Sequence, residues 1–180
     1  AQIEAWKPVT EAVHKADGRI ILQLWHMGRL VHPDFLGGAQ PVSASATTAP
    51  GYAHTAEGKK DYTEARALEA SEIPRIISDY VSAAKNAMSA GFDGVQIHAA
   101  NGYLIDQFLR DNTNLRTDEY GGSIENRIRL LREVTQAVVN AIGSERTSVR
   151  LSPNGETQGA NDSNPVPLFT AAAAALQDIG

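Results

Sequence analysis

The sequence predicts an α/β fold built on a parallel sheet, and three observations carry that reading. Hydrophobic periodicity alternates between helical and short strand patterns in the order α-β-α-β-α-β-α. Whole helices separate the strands, so strands pair in parallel through right-handed crossovers. Asp17-Gly18, Ala90-Gly91 and Gly143 mark the places where helical periodicity stops. A doubly wound sheet and a (β/α)8 barrel share this grammar. No GxGxxG follows any of the strands, which takes support from the dinucleotide-binding form of the wound sheet.

The elements follow in order. Ala1–Ala16 reads as an amphipathic helix with Ile3, Trp6, Val9 and Val13 at helical spacing, ended by a left-handed cap at Asp17-Gly18. Arg19–Leu24 (RIILQL) is an apolar run of strand length. A long loop from Trp25 to about Ala70 follows, with Pro41–Ala46 as an isolated strand inside it; a segment that long usually serves as a lid or binding loop. Ser71 is the expected N-cap of the next helix, whose stripe runs through Ile73, Ile76, Ile77, Tyr80, Val81, Ala84 and Met88. Gly94–Ala100 (GVQIHAA) is the second strand. A helix from about Ser123 to Gly143 places Ile124, Ile128, Leu131, Val134, Val138 and Ile142 on one face. Thr147–Leu151 (TSVRL) is the third strand, followed by a loop holding Pro153, Pro165 and Pro167 and then an Ala-rich helix over Ala171–Ile179.

Composition bounds the function. The 180 residues, 42% hydrophobic and 21% charged, are ordinary for a globular domain. A net charge of −5 argues against nucleic acid or an anionic membrane surface as partner. No apolar run approaches the roughly 20 residues of a bilayer span. The absence of cysteine excludes disulfides, thiolate metal sites and a cysteine nucleophile within this stretch. A cytoplasmic location fits these features. The chain starts at Ala1 inside a helical pattern and ends at Gly180 just after another, so both ends read as cuts through a larger pattern.

The polar residues that look out of place lie on strands or just past their carboxyl ends, where parallel α/β folds bind ligands. Gln23, Trp25 and His26 close the first strand; His98 and Asn101 close the second, with Tyr103 two residues on; Arg150 sits inside the third. Taken singly, His98 reads more readily as a hydrogen-bonded core histidine than as a catalytic one, Gln23 equally as a partner for neighbouring backbone, Tyr103 more readily as a packing residue, and Trp25 as a packing residue or pocket wall. Arg150 between Val149 and Leu151 reads as a buried guanidinium in need of an anionic or strongly polar partner. His26 and His32 lack the spacing of a metal site, and no serine lies in a GxSxG elbow.

Longer segments are more specific. His98–Leu109 (HAANGYLIDQFL) followed by Asn114–Arg127 (NLRTDEYGGSIENR) closely resembles the signature of the old yellow enzyme family. Ile21–Arg29 (ILQLWHMGR) and Val149–Pro153 (VRLSP) resemble two further family segments in the expected order. The resemblance implies a (β/α)8 TIM barrel holding FMN at the carboxyl ends of its strands. It implies that residues 1–180 are one partial barrel domain, incomplete at both ends, covering roughly strands three to five with their helices. Flavin contacts from strand one and phosphate-gripping loops after strands seven and eight then lie outside it.

The resemblance also assigns roles. Gln23 matches the residue that hydrogen-bonds the flavin pyrimidine edge, and Arg150 the cation near the ring nitrogen and oxygen that gain negative charge on reduction. His98 and Asn101 match the pair that grips the carbonyl or nitro oxygen of an activated alkene. Trp25 matches a wall of the substrate pocket, and Tyr103 the proton donor. The implied reaction adds hydride from reduced FMN to the β-carbon of the alkene and a proton to the α-carbon, with NADPH more than NADH as the source of hydride. A phenol with its ordinary pKa near 10 is protonated at pH 7 and suits that transfer. Two alternatives remain: a half-barrel scaffold or assembly fragment without flavin, and a barrel of unrelated aldolase or phosphate-binding chemistry. For a partial barrel, the expected partners are the remaining barrel segments or another copy of the chain.

Overall fold

Burial of one strand face under two helices organises the computed structural model, which describes residues 1–180. The elements are α1 (Gln2–Lys15), β1 (Ile21–Leu24), β2 (Val42–Ser43), β3 (Tyr52–Thr55), β4 (Gly58–Asp61), β5 (Arg66–Ala67), α2 (Ile73–Ser89), β6 (Gly94–His98), α3 (Leu104–Leu109), α4 (Ile124–Arg127), α5 (Arg129–Ile142), β7 (Thr147–Arg150) and α6 (Pro165–Gln177). β1, β6 and β7 form a parallel sheet in that order, with Gln23 opposite Gln96 and His98 opposite Arg150. The expected parallel sheet with helical crossovers is present.

Side chains alternate along a strand, so each has two faces. Leu24, Val95 and Ile97 turn toward the helices, where Ile73, Ile76, Tyr80 and Ala84 of α2 and Leu131, Val134 and Val138 of α5 close the core. Each fully buried Leu, Ile or Val among these contributes about 1.5–3 kcal/mol. The opposite face, with Ile21, Gln23, Gln96, Ser148 and Arg150, has no second layer of this chain over it. β1 and β7 each keep one edge without a strand partner.

The left-handed cap expected at Asp17-Gly18 is present, with Asp17 (φ 56) as its left-handed residue. Several boundaries differ from expectation, each for a local reason. Ser71 does not cap α2. A capping box between Glu69 and Glu72 opens a 3-10 turn (Ala70–Glu72) ahead of it, and Arg66 holds the Glu72 carboxylate at 2.6 and 2.7 Å. Those bonds pull the Glu72 carboxyl down to about 2. The second strand ends at His98, where Ala99 N–H donates to Arg150 C=O across the sheet. The Ser123 helix is broken at Ile128 into α4 and α5, with Ser123 as N-cap and Gly143 (φ 95) ending it as expected. α6 starts at Pro165 instead of Ala171, because proline in a first turn loses no helical hydrogen bond.

The segment from Trp25 to Ala70 is more ordered than a loop. Pro41–Ala46 is not an isolated strand: Val42–Ser43 alone is extended, and it pairs in parallel with Arg66–Ala67. Between them β3 and β4 form an antiparallel hairpin. Thr55 Oγ1 fixes its turn, accepting from Glu57 N–H and donating to Gly58 C=O.

Candidate functional site

β1, β6 and β7 end side by side, and each delivers polar or aromatic residues to the uncovered face. His98, the last residue of β6, is 5% exposed. Its Nδ1 accepts the Ala100 N–H at 3.3 Å, so the neutral ring carries its proton on Nε2. Burial lowers the pKa of His98 below the ordinary imidazole value, and the Arg150 guanidinium lowers it further. At neutral pH the ring is a neutral donor.

The chain then turns through Ala99–Tyr103. Asn101 takes a left-handed backbone (φ 58), which asparagine tolerates better than most residues. Its N–H donates to Ser152 Oγ at 2.8 Å. Gly102 is also left-handed (φ 79), and a Cβ there would sit 2.6 Å from the Thr157 carbonyl oxygen. Tyr103 returns to extended backbone and opens α3. The rings of His98 and Tyr103 meet edge to face with centroids 4.9 Å apart. Trp25, 51% exposed, stands 4.8 Å from Tyr103 and 6.4 Å from His98. The three rings thus form one cluster from two strand ends.

Gln23 and Arg150 flank this cluster on the same face. Gln23 Nε2 donates to Gln96 Oε1 at 2.8 Å, leaving its carbonyl oxygen as an acceptor. Arg150 corrects the sequence reading. Its guanidinium is exposed, because the face it occupies has no covering layer, and the buried ion pairs use Arg110 and Arg127 instead. The face thus offers an acceptor on one side and a cation on the other. His26 lies outside the cluster: its Nδ1 accepts the Gly28 N–H and its carbonyl accepts the Leu104 N–H, so it shapes the loop after β1.

Two contributors escaped the sequence reading. Gln96 shares the face of His98 and orients Gln23; its spacing of two from His98 on an apolar strand was the available cue. Tyr62, just after the hairpin, has its hydroxyl pKa raised by burial and by the nearby Tyr103. No periodicity or motif marks it.

Comparison with known proteins places this geometry. A profile described as the NADH:flavin oxidoreductase / NADH oxidase family matches residues 1–180. The flavin oxidoreductase hxnT of Emericella nidulans is 50% identical over 165 residues, which is 92% of this chain and 42% of that protein. The old yellow enzyme homologue from Zymomonas mobilis superimposes with a TM-score of 0.97 at 61% identity, over 99% of this chain and 50% of that one. Morphinone reductase, solved in complex with tetrahydroNAD, superimposes with a TM-score of 0.93 at 46% identity, over 99% and 51%. The chain spans about half the length of these relatives.

Proposed function

The chain belongs to the NADH:flavin oxidoreductase / NADH oxidase family, that of the old yellow enzymes, and from that premise we propose that it carries the substrate half of an FMN-dependent ene-reductase site. Its three parallel strands and their helices are a section of the family's (β/α)8 barrel. The observation that carries the reading is the ring cluster of His98, Tyr103 and Trp25, with His98 fixed as a neutral Nε2–H donor. Substrates on this reading are α,β-unsaturated carbonyl or nitro compounds.

Gln23 and Arg150 are the residues of this chain that would hold the FMN ring, which when bound supplies hydride to the β-carbon and is recharged by NADPH or NADH. As hydride arrives, negative charge grows on the substrate's carbonyl or nitro oxygen. His98 Nε2–H and the Asn101 side-chain amide donate to that oxygen, and donors aimed at developing charge are each worth about 10²–10³ in rate. Tyr103 O–H delivers the proton to the α-carbon, and Trp25 walls the pocket beside it.

A phenolate mimics the charged oxygen and tests the donor pair. In the complete FMN-loaded protein a para-substituted phenol should produce a long-wavelength charge-transfer band. His98→Ala should weaken phenol binding by about tenfold or more, the loss of one charge-assisted hydrogen bond. Unchanged affinity would make His98 a core histidine and remove the donor assignment.

A further inference from the structure

Asn101 and Tyr103 are separated by one residue, and the chain turns sharply between them. Two consecutive left-handed residues, Asn101 and Gly102, set the angle between the substrate-gripping amide and the phenol. Asparagine and glycine both reach the left-handed region readily, so the shape of the turn is set by what its peptide groups bond. Gly102 N–H donates to Asp106 Oδ2 at 2.8 Å, and Gly102 C=O accepts from Gln107 Nε2 at 2.7 Å. Both side chains come from α3, where Asp106 is 1% exposed and Gln107 fully buried.

Each side chain is committed to further partners. Asp106 Oδ1 accepts Arg110 Nε at 3.0 Å, and Arg110 Nη2 donates to the carbonyl of Ser152, whose hydroxyl takes the Asn101 N–H. Gln107 donates also to Met27 C=O and accepts from Arg29 N–H and Ser43 O–H. A Cβ at Gly28 would collide with Gln107, so the loop after Trp25 is drawn tightly onto the same amide. Three segments meet on one peptide turn.

We infer that Asp106 and Gln107 are positioning residues that set the reach of Asn101 and Tyr103 by gripping the two ends of Gly102. Neither touches substrate. They act by holding the turn in the one shape that points both groups at the same substrate. The inference rests on the proposed roles of Asn101 and Tyr103. Asp106→Asn places an amide N–H against one of two donors, and Gln107→Glu sets an oxygen against two carbonyls.

The test is a double-mutant cycle in the complete flavin-loaded protein, with hydrogen exchange at the Gly102 amide as a readout independent of turnover. Asp106→Asn should slow the alkene half-reaction by about tenfold or more, as expected for a displacement near 1 Å. In the Tyr103→Phe background the same change should cost severalfold less, because one of the two groups being positioned is already missing. Gly102 N–H exchange should accelerate in both backgrounds. Equal slowing in both backgrounds, or unaltered exchange, overturns the inference. If Tyr103→Phe alone leaves the alkene step unchanged, the proton-donor reading fails, while Gly102 exchange and phenol affinity still judge the grip. Should Asp106→Asn not fold, Ser152→Ala removes only the acceptor of the Asn101 N–H at a half-buried position. It should weaken phenol binding severalfold, and unchanged affinity would count against the inference.

Discussion

Tyr103→Phe should slow alkene reduction by about 10²–10⁴-fold, the range for removal of a general acid, while flavin reduction by the nicotinamide stays near its original rate. The substitution deletes a hydroxyl and nothing else. The ring keeps its edge-to-face contacts with His98 and Trp25, and the backbone that opens α3 is untouched. The hydroxyl is needed only where a proton reaches carbon. Stopped-flow measurement of the two half-reactions separates the steps, and equal losses in both would remove Tyr103 from the proton-donor role.

The second large effect concerns a polypeptide of these 180 residues made by itself. Its sheet has two unpaired parallel edges, along Ile21–Leu24 and Thr147–Arg150. The face bearing Ile21, Gln23, Trp25 and Arg150 lies open where inward side chains of a barrel would stack in layers. Such a chain should self-associate or pair with a complementary segment. It should bind FMN weakly, since Gln23 and Arg150 are the ring contacts it offers. Size-exclusion chromatography with flavin absorbance reads both properties at once. A stable yellow monomer would show that the missing layer matters far less than the open face implies.

The parts of the fold that obey a period were legible in the sequence. α2 and α5 each bury one stripe, and β1, β6 and β7 are short segments that alternate with the helices. α3 was not legible, because all six of its residues are buried and no polar face remains to reveal a period. The hairpin escaped because YAHT and GKKD are polar, exposed segments stabilised by their pairing and turn, not by an apolar face. For the site, motif and position at strand ends gathered His98, Asn101, Tyr103, Trp25, Gln23 and Arg150 onto one face. They did not reveal which face was covered, so Arg150 looked buried between Val149 and Leu151 when it is open. The grip of Asp106 and Gln107 on Gly102 was invisible for a related reason. It depends on a left-handed turn whose partners come from the following helix.

The most direct measurement is anaerobic. The complete protein, its flavin reduced stoichiometrically with NADPH, is mixed with a cyclic enone, and flavin absorbance and product are followed together. The flavin should reoxidise with one saturated ketone formed per flavin, a reaction suppressed by a para-substituted phenol and slowed by Tyr103→Phe. A flavin that stays reduced until oxygen is admitted would contradict the ene-reductase reading.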